Sequence, residues 1–232
     1  MASGKCRHER PKRPKGGHDP QVIRTGKVES IRKPLEVSER ISSPETQNKD
    51  KIARKMALID SVCDEIVQVF QASQQRIALC GAYRISCEGW LKIELLLRLD
   101  EVFSSDTPSV ACEANRVDLS VSSHGETVLI ELKTFPTNYG ASGKPITNFI
   151  DGVIEDLQKL AGRCSEHTVG IAVWLAYPVP ASEPSAWAAH VQRVNAQAAG
   201  VLRSEQIPLW ENKTAHLYIT QCKSTAAAAG TN

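Results

Sequence analysis

The chain has 232 residues, of which 41% are hydrophobic and 23% charged, enough to bury a core around one main domain with room for a tail. Its formal net charge is only +2, but residues 1 to 40 hold eleven Lys or Arg against five Asp or Glu and so carry +6, leaving the remainder slightly acidic. The opening "MASGKCRHERPKRPKGG" lacks the apolar core of a signal peptide, and the longest apolar run, Val169 to Pro180, is too short to span a bilayer, so a cytoplasmic protein is expected rather than a secreted or membrane-inserted one.

In chain order, residues 1–48 are rich in Lys, Arg, Pro, Gly and Ser without a sustained apolar period, which reads as a basic, disordered arm. Its basic start either touches nucleic-acid phosphates or only solubilises the chain. Residues 49–224 should form the folded domain, and 225–232 a flexible tail. From Asp50 to Gln75 the residues Ile52, Met56, Ile59, Cys63, Ile66 and Phe70 recur every three or four positions, the stripe of an amphipathic helix. A second helix is expected over "SCEGWLKIELLLRLDEVF", where Trp90, Leu91, Ile93, Leu95, Leu96, Leu97 and Leu99 surround Glu94; apolar on all sides, it should be buried.

Short β-type runs follow at Val110 to Cys112, Val117 to Val121 and Thr127 to Lys133. Next come a helix with Ile146, Phe149, Ile150, Val153, Ile154, Leu157 and Leu160 at helical spacing, and "HTVGIAVWLAYPVP", suited to a strand buried on both faces. Residues 184 to 203 read as another helix and "AHLYITQC" as the last strand. The fold class is therefore α/β, a central mixed sheet flanked by helices. Seven scattered cysteines with no CxxC pair suggest reduced thiols and no zinc.

The stretch "NRVDLSVSSHGETVLIELKTF" carries the chemistry. Alternation sends Val117, Leu119 and Val121 to one face and Asp118 to the other, while Val128, Ile130 and Leu132 oppose Leu129, Glu131 and Lys133. With His124 and Gly125 at the centre of a tight turn, paired residue numbers sum to 249, setting Asp118 across from Glu131 and Arg116 across from Lys133. Directly opposed residues have Cβ atoms about 4.5–5.5 Å apart, and like charges there are destabilising. A divalent cation resolves the conflict, since Mg²⁺ seeks oxygen ligands and commonly takes one or two carboxylates. Lys133 would lie beside it on the same face.

These residues resemble the PD-(D/E)XK nuclease superfamily: an acidic residue opening one strand (Asp118), then Glu, any residue and Lys on the next ("ELK", Glu131 to Lys133), preceded by a helix bearing a Glu. Val117 stands where the Pro of the pattern would be. The resemblance implies a restriction-endonuclease-like αβββαβ core over residues 77 to 221. It also implies Mg²⁺, with Mn²⁺ as substitute, held by Asp118, Glu131 and the backbone carbonyl of Leu132, with Lys133 as catalytic lysine. The helix acid is Glu94 or Glu88, with Glu94 preferred because an ionised carboxylate among apolar neighbours is costly without compensation, whereas Glu88 at a helix start needs no functional explanation.

Outside this motif, Arg116 is either a phosphate contact or an exposed strand-end residue, and the loop with Tyr139 and Lys144 either meets substrate or merely connects. Asp151, Asp156 and Lys159 are expected on a solvated helix face. The function implied by the resemblance is a metal-dependent nuclease, a DNA endonuclease, with nucleic acid and a second copy in a homodimer as partners and no membrane. The alternatives are a catalytically inactive nuclease-like fold binding nucleic acid or protein, and a plain α/β structural domain.

Overall fold

The computed structural model describes residues 44–104, 109–113, 116–137, 139, 146–182 and 184–224. Helices α1 (Pro44–Ala72), α2 (Gln74–Tyr83) and α3 (Glu88–Phe103) come first, then strands β1 (Val110–Cys112), β2 (Leu119–Ser123) and β3 (Glu126–Pro136). They are followed by α4 (Ile146–Ala161), β4 (Thr168–Pro180), α5 (Ser185–Gln197), β5 (Ala198–Pro208) and β6 (Lys213–Cys222). Helix α1 opens on Pro44 with Glu45 in its first turn, both suited to a helix N-terminus, so ordered structure begins inside the span expected as an arm. The rest of that arm, and the tail 225–232, lie outside the described residues.

One six-stranded mixed sheet runs β1-β2-β3-β4-β6-β5. Strands β1, β2 and β3 form an antiparallel meander, and α4 carries the chain over to β4, which pairs parallel with β3. The β2–β3 hairpin has the register that alternation and turn chemistry dictate, from Leu119 opposite Ile130 to Ser123 opposite Glu126. His124 and Gly125 both take positive φ, 50° and 82°, as the favoured two-residue turn requires.

Strict alternation splits the core in two. Val128, Ile130 and Leu132 join Ile171, Val173 and Leu175 under α1, α2 and α3, whereas Leu129, Phe135, Ala172 and Trp174 pack with α4 and α5. Helices thus cover both faces, and β4 is buried almost end to end, as its unbroken apolar run requires.

Several expectations are corrected. Helix α3 buries only Leu91, Leu95 and Leu99 completely, while Ile93 and Leu97 are more than half exposed, because the helix lies on the sheet with a single face. The apolar stripe of α1 is buried from Leu58 onward, whereas Ile52 and Met56 stay exposed. The helix expected over 184–203 ends at Gln197, and the chain continues as edge strand β5, paired antiparallel with β6. Its Ala-rich start favours helix locally, but pairing with β6 satisfies the backbone instead. Among the described residues, no helix is long and apolar enough to cross a membrane.

Candidate functional site

The site forms where the β2–β3 ladder stops. Leu119 is the first residue of β2, so beyond the Leu119–Ile130 pair the edge of β3 has no strand beside it. Side chains take over. The Asp118 carboxylate accepts the Leu132 N–H at 2.8 Å, and the Glu88 carboxylate accepts the Thr134 N–H at 2.9 Å. In an extended strand the N–H and C=O of one residue point to the same side, so the Leu132 carbonyl opens toward this edge as well.

Asp118 and Glu131 are brought together as the hairpin arithmetic requires. Glu131 is 9% exposed and its pKa is pushed up from 4.5 to about 7, by burial first, then by the nearby Asp118 and Asp156 carboxylates and a hydrogen bond with Asp118, while Lys159 acts in the opposite sense. Near neutrality this carboxyl holds on to a proton because it is buried and, after that, because its neighbours share its charge. Lys133 follows on the same face, with Nζ 3.5 Å from Asp156 Oδ2.

Asp156 is corrected from solvated face to site. Its side chain is only 8% exposed and pairs with both Lys133 and Lys159, the latter at 2.9 Å. The signal was present in the helix period: Asp156 lies three residues after Val153 and four before Leu160, on the buried stripe of α4. Lys159 keeps its proton firmly, chiefly through its hydrogen bond to Asp156. Asp151 remains at the surface, ion-paired with Arg193 at 2.6 Å.

The helix acid at this edge is Glu88. Glu94 accepts from Arg76 at 2.8 Å and from the Trp90 indole at 3.0 Å, with the Arg76 guanidinium stacked 5.0 Å over the Trp90 ring. The reason is rotation about α3. Lys92 reaches Asp118 Oδ1 at 2.6 Å, and Glu94, two positions on, lies about 200° round the helix and faces α2. Its compensation is an arginine, so no cation is needed there.

Nothing in the sequence pattern singles out Lys92. Its ammonium bridges Asp118 and Glu113, each at 2.6 Å. Burial alone would lower its pKa, but the hydrogen bonds to Asp118 and Glu113 outweigh that and hold it above the usual lysine range. Helix position connects it to the site, one turn after Glu88.

The rung between Arg116 and Lys133 does not form. Arg116 is exposed, with a left-handed φ of 59°, and the chain turns there before entering β2. Lys144 lies outside the described residues.

The donors fit a hard divalent cation. Asp118, Glu131 and the Leu132 carbonyl are all oxygen ligands, and Glu131 is a buried carboxyl whose pKa is raised by that burial and by the carboxylates of Asp118 and Asp156 beside it. Among the described residues no three His, Cys, Asp or Glu side chains gather into a ready-made metal cage. Two carboxylates suffice for Mg²⁺, which keeps several waters and commonly takes further oxygens from a phosphate substrate. Comparison with family models, with curated proteins and with solved structures finds no match to the chain, so the site is read from its own residues.

Proposed function

We propose that the protein is a Mg²⁺-dependent nuclease that hydrolyses phosphodiester bonds in DNA, on a restriction-endonuclease-like core formed by α3, β1, β2, β3, α4 and β4. The observation that carries this reading is the pair of facing carboxylates, Asp118 and Glu131, at the unpaired edge of β3, with the Lys133 ammonium next along the same face. The succession of one helix, three antiparallel strands, a helix and a parallel strand supports the core.

Asp118, Glu131 and the Leu132 carbonyl would hold the cation, which supplies charge stabilisation at the scissile phosphate and a more acidic water. Lys133 donates hydrogen bonds to the attacking water or to the developing phosphate charge. Asp156 positions Lys133 from α4, and Glu88 steadies the strand edge by taking the Thr134 N–H.

The test is a cleavage screen of duplex, single-stranded and branched DNA and of RNA, with Mg²⁺ and Mn²⁺. Metal-dependent cleavage by the wild type, lost in Asp118→Asn, is expected. Equal cleavage by Asp118→Asn would sink the site assignment. No cleavage of any substrate, together with no thermal stabilisation by either metal, would sink the reading as a whole.

One observation favours a second reading. Lys92 already neutralises Asp118, as a resident counter-charge would in a catalytically inactive, nuclease-like module that binds nucleic acid. The two readings separate on Lys92→Met. A charge-assisted hydrogen bond contributes roughly 1.5–3 kcal/mol, so freeing Asp118 from it should tighten Mg²⁺ binding about tenfold or more, read from the Mg²⁺ concentration at half-maximal thermal shift. A metal-free, inactive module shows no Mg²⁺ shift in either form and is simply less stable without Lys92.

A further inference from the structure

At the far end of α4 two thiols meet. Cys164 stands in the turn after α4 and Cys222 is the last residue of β6, and their Sγ atoms are 3.0 Å apart although 58 residues separate them in sequence. Cys164 Sγ also hydrogen-bonds to the Leu160 carbonyl, at 3.3 Å. The fold leaves room for the pair at Gly170 of β4. A Cβ there would fall 2.8 Å from Cys222 Sγ and 2.7 Å from Leu160 Cβ, so the sulfur occupies space that only glycine concedes.

The pair is reachable from outside. A cavity of about 190 Å³ is lined by both cysteines together with Ile52, Lys55, Met56 and Gln221. Cys164 is partly exposed and Cys222 is 2% exposed, which gives the two sulfurs different access to a reagent in the groove.

We propose that Cys164 and Cys222 form a reversible disulfide, an oxidisable staple that ties β6 to the connection between α4 and β4. Cys164 is the attacking sulfur. It is the more exposed of the two, and the hydrogen bond with Cys222, then the Gly170 backbone and the charge of Lys55, favour its thiolate against the opposing effect of burial. The oxidant is a peroxide. The Cys164 thiolate attacks one peroxide oxygen, the O–O bond breaks, and a sulfenic acid forms with release of hydroxide, which takes up the proton first lost by Cys164. The Cys222 sulfur then attacks the Cys164 sulfur. The S–S bond forms, the S–O bond breaks, and the departing hydroxyl leaves as water with the Cys222 proton. In sum two thiols and one hydrogen peroxide become one disulfide and two waters, and a dithiol reductant reverses it by exchange.

Burial makes two of the other described cysteines poor competitors, pushing Cys63 and Cys87 up to about 12 and about 11, which keeps them as thiols. Cys80, partly exposed, stands within hydrogen-bonding reach of that buried Cys87 thiol, and Cys112 is exposed.

The experiment is brief treatment of the full-length protein with hydrogen peroxide, alkylation of the remaining thiols, and non-reducing peptide mapping. A cross-linked peptide joining Cys164 to Cys222, with the loss of two hydrogens and release by dithiothreitol, is expected. In Cys222→Ser, Cys164 should instead be trapped as a sulfenic acid that reacts with dimedone. If that variant fails to fold, the wild-type map still decides. Alkylation of both residues after peroxide, or Cys164 driven to the sulfinic acid with Cys222 still free, would overturn the proposal.

Discussion

Lys133→Ala should lower Mg²⁺-dependent cleavage by about 10²- to 10⁴-fold, the usual contribution of a positioned group that transfers protons or stabilises charge in the transition state. The loss should fall on kcat, since Lys133 is placed to act where charge develops and sits beside the carboxylate pair without belonging to it. Thermal stabilisation by Mg²⁺ should survive the substitution, because Asp118, Glu131 and the Leu132 carbonyl are untouched. A variant that cleaves at the wild-type rate would remove Lys133 from the chemistry. One that loses cleavage and Mg²⁺ stabilisation together would show that the lysine organises the site and acts only through it.

In the metal-free protein, Glu131→Gln should be stabilising at pH 8, by on the order of 2–3 kcal/mol, and neutral in strong acid. The sign follows from the raised pKa. The group ionises at 4.5 in its ordinary state and at about 7 in the folded protein, so between these values the folded state holds a proton that the unfolded chain has lost. Stability therefore falls as pH rises through this window, and above about pH 7 the folded protein carries the full cost of an ionised Glu131 beside Asp118 and Asp156. Each pK unit corresponds to about 1.4 kcal/mol, and glutamine mimics the protonated form. Denaturant unfolding at pH 4 and pH 8 checks it, and equal stability of wild type and variant at both would refute it. The same linkage makes Mg²⁺ binding weaken as pH drops below about 7, because the ligand must lose its proton first.

The hairpin was legible in the sequence to the single residue. A two-residue turn with positive φ and strict alternation are local properties, and they suffice to set Leu119 against Ile130 and so to bring Asp118 and Glu131 together. The rung from Arg116 to Lys133 failed for an equally local reason, a left-handed residue that bends the chain out of the strand. Edge strand β5 was hidden because its sequence, with Ala198 and Ala199 at its start, continues the helix preference of α5, and only the ladder to β6 overrides that preference.

The members contributed by helices were a different matter. Glu94 looked costly among apolar neighbours, yet Ile93 and Leu97 are more than half exposed and an arginine from α2 answers its charge. Glu88 looked ordinary, yet it caps the bare edge of β3. The helix period marks Asp156 as buried, but not what it meets, and marks Lys92 not at all, because the importance of both lies in which strand their helices cross, and at what rotation.

By itself, then, the sequence determined the α/β class, the hairpin register and the facing carboxylates beside a lysine, all of which rest on the strand period of two and on turn stereochemistry. Only the tertiary structure decided which charges from α3 and α4 complete the cluster. A helix fixes its own periodicity, but the angle and phase at which it meets a sheet are set by packing between residues far apart in the chain, and that phase selects Glu88 and Lys92 over Glu94.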